Sequence, residues 1–224
     1  MKVVCMIPAR LGSQRLKYKN LRKIGEYSLV QLAIRKALRA EVFDEIWVNS
    51  ESEEIEKIAL QEGVRFHKRP QNLADNITTS EEYVYEFLKK HECDYVVQLH
   101  TIAPLLTIEE IKKFVNRLLS LKYDTFLSVE EIILECIYKN KPINFSVELK
   151  ENSQDLTPIH KIAWSITAWK REVYIRSFEN KKCATYSGRI GYFKLNKFSA
   201  HVIKTEEDLI LANLIFKYFF RDEL

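Results

Sequence analysis

Glycine is scarce, with five residues in a chain of 224, and that scarcity excludes the common glycine-rich phosphate loops. The segment after the first apolar run carries one glycine, Gly12, where G-x-G-x-x-G needs three, and G-x-x-x-x-G-K-[ST] does not occur. Cysteine is as sparse. Cys5, Cys93, Cys136 and Cys183 are scattered, with no C-x-x-C pair and no histidine at metal-ligand spacing, which argues against a zinc site and predicts free thiols, several of them buried, in a reducing cytoplasm. No apolar run reaches the roughly 18 residues of a membrane helix, and the run near Met1 is too short for a secretory signal. A soluble, cytoplasmic protein without a membrane partner is expected. Internal repeats and low-complexity tracts are also missing.

Acid is absent where base is densest. The stretch IPARLGSQRLKYKNLRK, residues 7–23, holds Arg10, Arg15, Lys17, Lys19, Arg22 and Lys23 and no Asp or Glu. The whole chain has a net charge of +4, so the remainder outside this run sums to about −2 and the excess is local. A small anionic ligand fits such a patch better than a nucleic acid, which needs a broader basic face with interleaved aromatics.

What is present is core. Hydrophobic residues make up 46% of the chain, enough for one large domain over residues 1–224 with at most a small appendage. Strand and helix alternate: KVVCMIP, then a helix over 28–40 with Leu29, Leu32, Ala33, Lys36 and Ala37 on one side; DEIWVNS, then a helix opened by Ser50 and Glu53 and stopped at Gly63. VRFHK precedes a helix opened by Thr79 with Glu82, and DYVVQLH one opened by Thr107 with Glu110. DTFLSV is the fifth strand. This rhythm predicts an α/β fold, a mostly parallel sheet with helices on both faces. Residues 130–170 break it with short extended pieces, ECIYK, FSVEL and AWSITAW, and read as an excursion or small subdomain. The chain closes on a helix capped by Thr205, whose Leu209, Ala212, Phe216 and Phe219 are expected to pack on the sheet.

In an open parallel sheet the loop after the first strand lines the crevice where ligands bind. A phosphate there would meet backbone N–H groups near Gly12 and Ser13 and the cations of Arg10 and Lys19. The plain alternative is a solvated basic loop. From the residues alone the reading stops at an anion of phosphate type.

The same loop resembles the signature A-R-x-x-S-K-x-x-x-x-K-N of the CMP-sugar synthetases, the cytidylyltransferases that activate sialic acid and related nonulosonic or 3-deoxy acid sugars. HKRPQNLADNITTSEEYV resembles that family's R-P-x-x-L-A-x-D segment, VVQLHTIAPLL its L-Q-P-T-S-P-L turn, and HVIKTEEDLILAN its closing D-I-D-T-x-x-D-L-x-x-A. The resemblance implies a Rossmann-like nucleotidyltransferase sheet, CTP and an acidic sugar as substrates, and a homodimer formed by an inserted dimerisation subdomain over about 130–170. It implies catalytic roles for Arg10 and Lys19 on the triphosphate. Leu11, Gly12, Ser13, Asn20, Arg69 and Ser80 would bind nucleotide; His100, Thr101 and Lys161 would face the acceptor. Three of these have plain alternatives: Asn20 as a turn cap, Ser80 as a helix start, Arg69 as an exposed partner of Asp75.

Departures from the pattern are as informative. Val202 and Lys204 stand at the family's two metal-binding aspartates, so the metal ligands are unassigned and Mg2+ is expected to arrive on the nucleotide, or Lys204 to take its place. Ile102, Ala103 and Pro104 replace T-S-P, and Ser165 and Ile166 replace the Asn and Gly of N-G-A-I-Y. These leave two further readings beside the enzyme: a degenerate homologue that binds a nucleotide or a partner, and a transferase with another acceptor.

Overall fold

The computed structural model describes residues 1–219. The elements in chain order are β1 (Val3–Pro8), β2 (Lys23–Ile24), β3 (Tyr27–Ser28), α1 (Leu29–Ala40), β4 (Glu45–Ser50), α2 (Glu53–Gln61), β5 (Arg65–Lys68), α3 (Ser80–Lys90), β6 (Tyr95–Leu99), α4 (Ile108–Leu121) and β7 (Thr125–Ile132). Then follow β8 (Ile137–Tyr138), β9 (Lys141–Pro142), β10 (Ile159–Lys170), α5 (Arg171–Glu179), β11 (Ile190–Lys194) and α6 (Glu206–Phe219).

Seven strands form the central sheet in the order β11-β7-β10-β6-β1-β4-β5. β10 runs antiparallel to both β6 and β7, and the remaining neighbours are parallel. β1 shows why it lies inside the sheet. Val3, Cys5 and Ile7 pack into the cluster beneath α1 and α4, while Val4 and Met6 pack into the opposite cluster with Val84 and Phe87 of α3 and Tyr174 of α5. Both faces of the strand are buried, as in a parallel sheet covered by helices on each side. The expected α/β architecture is therefore present.

Local capping chemistry starts three of the helices. Ser28 with Gln31, Thr79 with Glu82 and Thr107 with Glu110 each close a capping box. α2 is different from expectation: Ser52 caps it, accepting from the N–H groups of Glu54 and Ile55, because β4 continues through Ser50 and leaves that residue inside the sheet. Gly63, at φ +77, ends the helix as expected.

The largest correction concerns residues 130–170. AWSITAW is part of β10, a twelve-residue strand in the middle of the sheet, so only about 133–158 leave the domain. FSVEL is not a strand; the β8–β9 hairpin is the ordered piece of the excursion. Neither α5 nor β11 was expected. α6 also packs elsewhere than expected: Leu209, Ala212 and Phe216 join Leu16, Ile24, Leu29 and Leu32 rather than the sheet. Phe219 is exposed and stacks on Phe198. All four cysteines are free, with Cys5 buried, Cys93 and Cys136 half-buried and Cys183 exposed.

Candidate functional site

β1 ends at Pro8 beside β4 and β6, and its carboxyl end opens into the loop 9–22. That loop is fixed by long-range hydrogen bonds. Ala9 N–H donates to the Asn49 carbonyl at 3.0 Å, Leu11 N–H donates to Glu51 Oε1 at 2.8 Å, and the Arg10 guanidinium donates to the carbonyl of Asp75. Asn20 is buried and joins two segments: its Nδ2 donates to the Arg10 carbonyl at 2.7 Å and its Oδ1 accepts from Thr101 Oγ1 at 2.6 Å. Both polar ends of Asn20 thus work inside the protein, tying the β1 loop to the turn after β6. Tyr18, in the left-handed region at φ +52, reverses the chain so that Lys19 follows on a one-turn helix.

The result is a cavity of about 450 Å³ whose lining includes Arg10, Ser13, Arg15, Lys19, Asn20, Arg69, Asn76, Tyr83, His100 and Thr101. Among the described residues its lining has four cations and no carboxylate. The cations affect one another. Burial, then the neighbouring charges of Arg15 and Arg10, hold the Lys19 ammonium below its ordinary value, with Asp208 opposing. An anion entering here would relieve that repulsion.

Arg69 is the most deeply placed of these cations, 3% exposed. Its Nε donates to Asn49 Oδ1 at 2.6 Å and its Nη2 to the Asn49 carbonyl at 3.0 Å, while the guanidinium lies 4.1 Å from the centroid of the Tyr83 ring. It is therefore not an exposed partner of Asp75. That aspartate instead accepts from the N–H groups of Ile77 and Thr78 and organises its own turn.

His100 lines the same cavity on the β6 side, and burial pushes its imidazole down to about 4, so the ring is neutral near pH 7. Leu11 and Gly12 face a separate shallow depression with Glu51 and Ser52. Ser80 is exposed as the first residue of α3, and Lys161 is exposed on β10, paired with Glu130 at 2.9 Å; neither lines the cavity. Arg15, Asn76 and Tyr83 do line it and were not assigned from sequence. Arg15 stood within the charge run. Tyr83, three residues after Ser80, marks the helix face that turns toward Arg69.

A protein-held Mg2+ does not fit these residues. Among the described residues no group of three Asp, Glu, His or Cys side chains is placed to hold a metal. Val202 is half-buried against the core, and Lys204 is exposed, its N–H donating to Asp208 Oδ2 at 2.8 Å. That carboxylate is engaged by the start of α6.

The sequence model of the cytidylyltransferase family matches residues 4–215. The chain is 28% identical over 237 residues to a pseudaminic acid cytidylyltransferase of Campylobacter jejuni, covering 97% of each chain. It is 30% identical over 128 residues to N-acylneuraminate cytidylyltransferase A of Danio rerio, which covers 57% of this chain but 30% of that one. A solved CMP:2-keto-3-deoxy-manno-octonic acid synthetase complexed with CTP superimposes with a TM-score of 0.73 at 16% identity, over 97% of this chain and 99% of that one, and shares the fold. The chain belongs to the cytidylyltransferase family and is a nucleotidyltransferase of the CMP-sugar synthetase kind.

Proposed function

We propose that this cytidylyltransferase transfers CMP from CTP to an acidic sugar of the nonulosonic class and releases pyrophosphate. One observation carries the reading: a cavity at the carboxyl end of β1 lined by Arg10, Arg15, Lys19 and Arg69 without a carboxylate, in a chain that matches a pseudaminic acid cytidylyltransferase along 97% of both lengths.

The sugar hydroxyl oxygen forms a bond to the α-phosphorus of CTP as the bond from that phosphorus to the bridging oxygen breaks. Pyrophosphate takes the electron pair, and the hydroxyl proton passes to solvent or to the leaving group. No covalent enzyme intermediate is required. Arg10 and Lys19 neutralise charge on the α-phosphate and the leaving pyrophosphate, and Ser13 adds a hydroxyl donor. Asn20 and Thr101 hold the loop in register with the turn after β6, so the cations are placed before substrate arrives. Since the lining offers no carboxylate, a Mg2+ that took part would have to arrive with the triphosphate, where it would add positive charge to that of Arg10 and Lys19.

The excursion supports a homodimer. Ile137 is 66% exposed, Tyr138 63%, Val147 77% and Leu149 68%, and apolar surface this dense on a short insertion suits a contact with a second copy.

The test is thermal stabilisation by CTP, with UTP, ATP and GTP as controls, each with Mg2+ and with EDTA. CTP at a hundredfold excess over its Kd should stabilise the protein by about 2.7 kcal/mol, and much of that should persist in EDTA. Pyrophosphate release with N-acetylneuraminic and pseudaminic acids then reports turnover. No stabilisation by any nucleotide would overturn the reading in favour of a degenerate homologue; stabilisation only with Mg2+ would mean that the nucleotide binds as its Mg2+ complex.

A further inference from the structure

Trp164 occupies a backbone conformation that its side chain should avoid. Its φ is +54, inside a β-strand, a region costly for a bulky L-residue and usually left to glycine. The pairing of β10 with β7 shifts register between Ile162 and Thr167, so the residue sits in a bulge. Four hydrogen bonds hold the distortion. His100 N–H donates to the Ser165 carbonyl at 3.1 Å, Ser165 Oγ donates to the Ser199 carbonyl at 2.7 Å, and the N–H groups of Ser165 and Ile166 donate to Ser128 Oγ at 3.3 and 3.2 Å. Strain fixed this firmly needs a use, and bulges beside active sites re-aim side chains.

The bulge sets the indole next to a residue of the cavity wall. The Trp164 ring lies 6.2 Å from His100, a cavity residue, and 6.5 Å from Tyr186, centroid to centroid. Trp164 is half-buried and Tyr186 is 47% exposed, so ring surface is left open. The two sides of the cavity differ in kind. Arg10, Lys19 and Arg69 come from the loops after β1 and β5, whereas His100 follows β6, on the other side of β1 in the sheet order, with Trp164 of β10 next to it. With CTP drawn to the cations, the reacting partner is left the neutral, aromatic side.

We propose that Trp164, flanked by Tyr186, is the platform on which the acceptor's sugar ring lays its C–H face, and that the β10 bulge exists to present it. This inference rests on the CMP-transfer reading given above. An aromatic face selects ring shape and apolar substituents rather than charge, so Trp164 sets which acceptor is accepted and leaves nucleotide binding alone.

Trp164→Gly removes the indole and relieves the left-handed backbone. The variant should melt within a few degrees of the parent and keep the full CTP-induced thermal shift, while the KM for whichever of N-acetylneuraminic or pseudaminic acid the parent uses rises at least tenfold and kcat stays within threefold. Trp164→Phe should recover a substantial part of the loss. Tyr186→Ala, at an exposed position, should raise the same KM by a smaller factor and serves if the glycine variant fails to fold. A KM within twofold of the parent in the variants that fold would overturn the platform alone. A parent stabilised by CTP but inactive with both acids would overturn the acceptor class and the platform with it, and a parent not stabilised by CTP would overturn the proposed function.

Discussion

Two irregular segments leave the central sheet, the loop 9–22 and the excursion 133–158, and they solve opposite problems. In the first, polar side chains are spent on partners far along the chain, as Asn20 on Thr101 and Glu51 on Leu11, and the apolar Leu16 is buried beneath α6. In the second, the bonds are local: Asn144 Nδ2 donates to the carbonyls of Leu134 and Thr157, and its Oδ1 accepts from Cys136 N–H. Most large apolar side chains of the excursion, Leu134, Ile137, Tyr138, Val147 and Leu149 among them, stand in water, while Leu156 is buried. What the loop lacks is negative charge; what the excursion lacks is apolar cover. A cationic cavity is completed by a small anion, which diffuses in and out, whereas exposed Ile, Val and Leu are completed by another macromolecular surface.

Deleting one buried partner on the cavity side should cost the most. Arg69→Leu leaves Asn49 Oδ1 without its donor, takes one of two donors from the Asn49 carbonyl, which keeps Ala9 N–H, and removes the cation from the Tyr83 face. Stability should fall by about 3 kcal/mol, as for a buried charge-assisted pair losing its donor, and the CTP-induced shift should shrink. The matching change in the excursion is Lys150→Leu, at a side chain 78% exposed that pairs with the exposed Glu135. That variant should stay within about 0.5 kcal/mol of the parent. Equal costs in denaturant melts would show that the two segments are held alike.

Acid gives the next largest contrast. Burial lowers His67, and it lowers His91 and His100 each to about 4, against an unfolded value near 6.5. Between those values the unfolded chain binds more protons than the folded one, so stability is complete above about pH 6.5 and declines as pH falls toward 4. Half-buried His91 counts for less than its shift implies because water screens it. A loss on the order of 2 kcal/mol between pH 6.5 and 5 is expected, before the depressed carboxylates of Asp75 and Glu81 begin to protonate. His67 bonds Glu86 of α3, and α3 carries Tyr83, so hydrogen exchange in α3 should quicken first. A flat stability profile over that range would mean that the histidines are already charged or already wet.

Local signals were legible in the sequence and long-range ones were not. Thr79 with Glu82 and Thr107 with Glu110 announce their helices because a capping box is written within four residues. The cationic loop was legible because its charges are contiguous. β10 was mistaken for part of an excursion because an antiparallel return between β6 and β7 breaks the strand-helix rhythm, and only its pairing with both neighbours places it. Lys36 shows the same limit in one residue: helical spacing put it on the apolar face of α1, where it is 2% exposed, but not the Leu106 carbonyl its ammonium reaches at 2.7 Å. Tyr83 and Asn76 join Arg10 only once β5 has paired with β4 and α3 has packed on the sheet. Ser80 rests on a match to a motif and Lys161 on being a nearby cation, and neither says which way a side chain points.

The gentlest perturbation tests the excursion by itself. Replacing Ile137 and Tyr138 together by Asp adds two charges to positions already 66% and 63% exposed. The aromatic contact at these positions within one chain is an exposed one, the Lys139 ammonium 5.3 Å from the Tyr138 centroid, so the melting free energy of the isolated protomer should move by no more than about 0.5 kcal/mol per site. Association is another matter. Two carboxylates at the centre of an apolar contact would have to be desolvated without a partner, and self-association should weaken by at least about tenfold, or about 1.4 kcal/mol. Sedimentation velocity reads this directly: the parent should sediment as a dimer and the variant shift toward monomer, with the CTP-induced thermal shift unchanged because the cavity lies within one chain. An unshifted profile would remove the excursion from the interface. A variant that loses the CTP response along with the dimer would show instead that the second copy reaches the cavity, joining the two segments that one chain keeps apart.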